Sequence, residues 1–222
     1  MAVKGNKIHS RRMKIFLVRH GEGENSGTHW QTPDTHLNEM GKKQAAALAG
    51  LPRFNNVDKI VCSRWARSQE TAKIVAKILN KQIEIFDDIN ERKQSRKIYG
   101  QDRNNQLAKQ YLIDIRQNGN NSDWKWDEEE ESVTEVANRA EKFKKHLIDN
   151  YANKTLLMFS HDEFIRYFIA VCLFGNKPDE KYFRTFIRSI FIQNTSVSLM
   201  VHREEHKVWK LWYLNDYSHL KM

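Results

Sequence analysis

The apolar residues of this chain fall into short runs, separated by longer stretches where they recur every three or four positions. Ile15-Phe16-Leu17-Val18 is too short for a helix, is rich in strand formers, and ends abruptly in Arg19, His20 and Gly21. Asp58 to Ser63, Gln82 to Ile89 and Thr155 to Ser160 predict three further strands. Between them, Lys42 to Leu51, Arg64 to Asn80 and Val133 to Tyr151 keep helical spacing. Pro52 stops the first, and Ser132 with Glu135 forms a capping box for the last. Phe164 to Phe174 predicts a buried helix and Pro178 to Arg188 a short one. Asn194 to His202 and Lys207 to Leu214 predict a hairpin that turns at Arg203 to His206. Strands alternating with helices predict an α/β three-layer sandwich: a mainly parallel sheet, helices on both faces and an antiparallel edge strand.

From Asn90 to Trp126 the pattern loosens into a charged, Asn-rich region with one helix expected around Leu107 to Ile115. A small cap excursion over residues 90–131 is the economical reading. Its last segment, Asp127-Glu128-Glu129-Glu130-Glu131, reads as a solvated acidic loop. Residues 1–12 read as a disordered basic leader and 13–222 as one domain, since 222 residues suit a single substantial core. No apolar run approaches the roughly 18 residues of a spanning helix, and the basic start lacks the apolar segment of a secretory signal. Cytoplasmic placement, with no membrane association, is therefore expected. The two cysteines, Cys62 and Cys172, read as buried free thiols.

A net charge of +9 points to an anionic partner without naming it. The strand ends narrow the choice. Arg19 and His20 close the first strand, Arg64 and Arg67 follow the second, and His161 follows the fourth, with Asp162 next to it. Two imidazoles and two guanidinium groups converging on one sheet edge suit a phosphoryl group, because guanidinium forks match its oxygens and stay charged. A neutral imidazole attacks phosphorus when its other nitrogen donates to a backbone carbonyl. His202-Arg203-Glu204-Glu205-His206 fits a zinc-ligand spacing that needs one helical turn between the histidines, yet it falls between two strands and reads as a hairpin turn. Trp124, Trp126, Trp209 and Trp212 could stack on bases, but packing is the simpler account, and nucleic acid is disfavoured as a partner. The basic cluster Arg92, Lys93, Arg96, Lys97 and Arg103 could read further anionic groups on a substrate.

Leu17-Val18-Arg19-His20-Gly21-Glu22 resembles the Arg-His-Gly signature of the histidine phosphatase superfamily, in its phosphoglycerate mutase-like branch. Four more stretches match in order. Leu37-Asn38-Glu39-Met40-Gly41 with Gln44-Ala45 resembles the family's helix start. Arg67-Ser68-Gln69-Glu70-Thr71-Ala72 resembles its second-arginine motif, Phe159-Ser160-His161 the second-histidine motif, and Asn194-Thr195-Ser196 its Asn-x-Ser turn. The resemblance implies His20 as phosphoryl acceptor, with Arg19, Arg67 and His161 stabilising charge, Asn25 contacting phosphate, and neither metal nor cofactor; from the basic cluster, Arg92 is the candidate for a further substrate contact. It leaves two proton donors open: Glu91, in an Asn90-Glu91-Arg92 context like that of the mutase-like branch, and Asp162, directly after the second histidine as in the acid phosphatase branch. The implied activity is hydrolysis of a small phosphorylated substrate through a phosphohistidine. Mutase-type transfer and non-catalytic phosphate recognition are the alternatives, and oligomeric state is left open.

Overall fold

The structure, a computed structural model, describes residues 12–220. The expected leader lies outside the described residues except for Arg12, which opens the first strand opposite Arg203. Six strands, β1 (Arg12–Arg19), β2 (Lys59–Ser63), β3 (Ile83–Phe86), β4 (Thr155–Ser160), β5 (Val197–Arg203) and β6 (Val208–Asp216), pair in the order β3-β2-β4-β1-β5-β6. β1 to β4 are parallel, whereas β5 runs against β1 and β6 against β5. The antiparallel edge is thus a whole hairpin, its reversed strand one place in from the rim.

Side chains alternate across a strand, and here both faces are covered, so a buried strand needs an unbroken apolar run. Phe16 and Val18 of β1 pack with α1 (Glu39–Ala49) and α2 (Ala66–Leu79) through Leu48, Ala72 and Val75. Met13, Ile15 and Leu17 face the other way, onto α4 (Val133–Asn150), α5 (Asp162–Phe174) and α6 (Lys181–Ser189). α1 starts earlier than its apolar spacing suggests because the Asn38 side chain accepts from the Gly41 amide at 2.8 Å and caps it. α4 carries the expected capping box, Ser132 Oγ accepting from the Glu135 amide and Glu135 Oε2 from the Ser132 amide. β3 is shorter than expected, because Asp87–Ile89 turn as a 3₁₀ helix.

The excursion after β3 carries α3 (Gln106–Asn118) and a small core of its own, in which Trp30, Ile98, Ala108 and Tyr111 are buried together. The expectation of a solvated acidic loop is corrected here. Glu130 is only 2% exposed, takes a hydrogen bond from the Tyr111 hydroxyl and pairs with Arg92 at 3.0 Å, while Glu131 pairs with Arg139 at 2.7 Å. Arginines from the excursion and from α4 converge on the run and replace its water. Cys62 and Cys172 are free, and burial pushes the Cys62 thiol up to about 12. His202 lies on β5 with its ring against Trp209 and His206 lies in the turn beyond, so the two share no helical turn. Among the described residues no helix is long and apolar enough to cross a membrane.

Candidate active site

Strand register does the first part of the positioning. β1 and β4 are neighbours with Arg19 opposite Ser160, so His20 and His161 leave the sheet side by side. Their ring centroids are 5.0 Å apart, close to the ~4.8 Å between paired strands. The chain leaves β1 for α1 on one face and β4 for α5 on the other, and the crevice where connections diverge is the ligand-binding position of an open α/β sheet. One strand further along, Cys62 stands opposite Phe159, and Ser63 Oγ thereby comes within 2.6 Å of His161 Nε2.

His20 is fixed from several directions. Its Nδ1 lies 2.7 Å from the Gly21 carbonyl oxygen, which only accepts, so Nδ1 carries the proton and Nε2 the lone pair. Arg67 Nε donates to that lone pair at 2.9 Å. Asn194 Nδ2 donates to the His20 carbonyl at 2.9 Å, and the Gly21 amide donates to Thr71 Oγ1, one turn beyond Arg67 on α2. Gly21 and Gly41 let this loop press against the start of α1. A Cβ on Gly21 would lie 2.5 Å from the Gly41 carbonyl oxygen, and one on Gly41 would lie 2.1 Å from that of Glu22.

Burial, reinforced by Arg67 and Arg19, holds the His20 pKa well below its ordinary value, so the ring is neutral at neutral pH. His161 is likewise lowered, first by burial and then by Arg67, His20 and Arg19. Ser63 Oγ accepts from the Trp65 amide, and with its hydroxyl donating to His161 Nε2 the ring proton lies on Nδ1. That Nδ1 is buried with no partner, and so is Arg19 Nε. Two orphaned donors and an imidazole lone pair in one place call for a ligand with several acceptor oxygens.

Arg67 is 3% exposed, lies over the Trp65 ring at 4.8 Å, donates to the Thr32 carbonyl, and is brought down to about 10 by burial. Arg64, the rival cation, turns outward onto Asp87 at 2.6 Å. Arg19 donates to the Ile192 carbonyl at 2.6 Å and lies under the Phe191 ring. Arg19, His20, Arg67, Glu91, Asp162 and Trp65 share the wall of a cavity of ≈ 290 Å³.

The two proton-donor candidates differ in environment. Glu91 accepts from the amides of Phe164 and Glu163 in the first turn of α5 and from that of Arg92. Burial, then Glu163 and Asp162, nevertheless raise it to about 7. Both oxygens of Asp162 are engaged, one by the Ile192 amide and the other by Arg166 at 3.0 Å. Two other expected residues stand apart from the cavity. Asn25 is exposed in a left-handed turn and serves through its carbonyl, which accepts from Thr28 and His29. Arg92 is buried on Glu130 and the Glu131 carbonyl, away from the wall that His20 lines.

The sequence profile of the histidine phosphatase superfamily (branch 1) matches residues 15–215, which takes in every candidate site residue named above. The chain belongs to the histidine phosphatase superfamily. Curated relatives match in part: a probable phosphatase of Schizosaccharomyces pombe is 41% identical over 61 residues, 27% of this chain and 29% of that protein. The adenosylcobalamin/alpha-ribazole phosphatase of Salmonella typhi is 35% identical over 81 residues, 36% of this chain and 40% of that protein. These matches span well under half of either relative. The superfamily fold is shared with a mycobacterial glucosyl-3-phosphoglycerate phosphatase (TM-score 0.75, 19% identity, 92% of this chain and 99% of that one). It is also shared with a phosphoserine phosphatase of Entamoeba histolytica (TM-score 0.74, 22% identity, 94% and 99%).

Sequence reading gave no individual role to four residues that touch or brace the candidate site: Ser63, Trp65, Thr71 and Arg139. Ser63 ends a strand as Arg19 and Ser160 do, and that position was its signal. Thr71 stands four residues after Arg67, the spacing that puts both on one side of a helix. Trp65 and Arg139 gave no sign, because each acts on partners brought in from other elements.

Proposed function

We propose that the protein hydrolyses phosphomonoesters of small molecules through a phosphohistidine on His20. The observation that carries this is the fixed tautomer: Nδ1 donates to Gly21 and Nε2 presents its lone pair beside Arg67, with unmet donors on Arg19 and His161. A phosphoryl group entering the cavity takes the Arg67 hydrogen bond from Nε2 and meets those donors with its equatorial oxygens. Nε2 attacks phosphorus, the N–P bond forms, and the ester O–P bond breaks in line. Glu91, raised to about 7 and so protonated in about half of the molecules at neutral pH, gives its proton to the departing alkoxide. The resulting carboxylate then takes a proton from water, whose oxygen attacks the phosphohistidine and releases inorganic phosphate. The chain's own residues neutralise charge and move the protons at every step, so the scheme requires no metal, and Asp162 serves to orient Arg166 and the loop at Ile192.

The test is phosphate release across sugar phosphates, nucleotides, phosphoglycerates and phosphopeptides, beside His20→Ala, with a search for acid-labile, base-stable phosphoprotein after rapid quench. Wild-type release that disappears in the variant, with the label on His20, is the expected result. Equal release by both proteins ends the hydrolase reading. Return of the phosphoryl group to a second hydroxyl would make the protein a mutase, and phosphate binding without turnover would make it a recognition module.

A further inference from the structure

Four arginines line the cavity that His20 faces: Arg19, Arg67, Arg103 and Arg166. Arg166 is matched by Asp162. Arg19 and Arg67 flank the phosphoryl position on the reading given above. Arg103 is left over. Its counterparts around the cap each hold a carboxylate, Arg92 on Glu130, Arg96 on Glu129 and Arg139 on Glu131, whereas no carboxylate pairs with Arg103 among the described residues.

Arg103 is nevertheless built into place. Its amide donates to the Thr28 carbonyl, next to a bridge between His29 and Asp102, and Trp30 and Gln101 pair just beyond. Its guanidinium lies 4.4 Å over the Trp30 ring, and Trp30 is in turn held edge-on by Tyr111 at 5.3 Å. Stacking fixes the plane of the guanidinium and leaves its edge donors free, the geometry in which arginine grips an oxyanion bidentately. Arg103 is exposed on its solvent side and lines the cavity, so an oxyanion that enters meets its edge without displacing an ion pair.

We propose that Arg103 is a substrate-selecting residue whose partner is a second anionic group, a carboxylate or a further phosphate, on the alcohol that leaves. The proposal rests on the hydrolase reading for the position of the first phosphoryl group. It narrows the substrate class to phosphomonoesters bearing another oxyanion a few bonds from the ester oxygen, and it assigns the choice of substrate to the strip where the cap meets the loop after His20.

Two matched pairs of compounds test it on the full chain. 3-Phosphoglycerate against glycerol 3-phosphate exchanges a carboxylate for a hydroxymethyl group, and fructose 1,6-bisphosphate against fructose 6-phosphate adds a phosphate. In wild type the anionic member of one pair has the higher kcat/KM, and which pair shows it identifies the oxyanion. Arg103→Gln shrinks that ratio about tenfold or more, chiefly through KM, as loss of a charge-assisted hydrogen bond requires. Arg103→Lys restores part of it. Equal losses for both members of each pair, or no anionic preference in wild type, overturn the proposal. Calorimetric binding of the same pairs to His20→Ala and to His20→Ala/Arg103→Gln repeats the comparison without turnover. A selectivity that survives there in a protein without phosphatase activity counts against hydrolysis alone, and an absent selectivity counts against Arg103.

Discussion

Nη2 of Arg92 lies 3.0 Å from Oε1 of Glu130, an ion pair almost wholly removed from water, one residue along the chain from Glu91. Arg139, seated on Glu131, donates to the carbonyl oxygens of Asp88, Asn90 and Glu91. The acidic run thus anchors both flanks of the candidate proton donor. Removing one member of a buried pair leaves the other charge uncompensated and costs about 3–5 kcal/mol. Glu130→Gln and Arg92→Met are each expected to lose that much in urea unfolding, and the double variant to lose much less than the sum. If Arg92 instead bound substrate, its replacement would raise KM with little change in stability.

Glu91 gives a pH signature with a definite sign. Its folded-state pKa is raised from 4.5 to about 7. Between those values the folded chain keeps a proton that the unfolded chain releases, so this group lowers stability as pH rises through that window. Glu91→Gln removes the penalty. Its Tm relative to wild type is expected to be higher above pH 7 than near pH 4. In single-turnover phosphorylation by a poor leaving group, the same variant is expected to lose about 10²-fold or more and the descending limb above pH 7, and to lose little with an activated aryl phosphate.

Arg67 is charged, buried and matched by neutral groups, an arrangement that serves an anion rather than the fold. Arg67→Gln is expected to lower kcat by about 10²–10³-fold, the effect of removing one preorganised donor. Orthovanadate is expected to raise the Tm of wild type and not of the variant, as read by thermal scans at matched ligand concentration.

The close approach of the His20 loop to α1 leaves no room at Gly41. A methyl group there would meet backbone rather than a yielding side chain, 2.1 Å from the Glu22 carbonyl oxygen. Gly41→Ala is expected to cost about 1–3 kcal/mol in chemical unfolding and to lower kcat by displacing the loop. Gly27→Ala, where nothing lies within 4 Å but φ is +83°, isolates the backbone cost.

The sheet was legible because two covered faces force unbroken apolar runs, and the site because His20, Arg67 and His161 sit at element ends. Element starts were less so: α5 begins at Asp162 rather than Phe164, since two acids stabilise a first turn without any apolar period. Glu130 shows where sequence is silent. Five consecutive acids look solvated until folding brings Arg92 and Tyr111 to them, from 38 and 19 positions away. Arg92 sits in a motif-like context, yet Glu130 and the Glu131 carbonyl outside it set where its side chain lies, and Asn25, one residue short of the motif spacing, is exposed in a left-handed turn.

Trp30 belongs to the loop that follows His20, yet its ring fills the cap's small core and its backbone pairs with Gly100 and Gln101. The excursion and the loop after His20 therefore pack as one unit. A chimera that transplants residues 90–131 alone would leave a hole where the indole sits. A chimera that carries residues 25–32 with them would move selectivity between relatives as a unit.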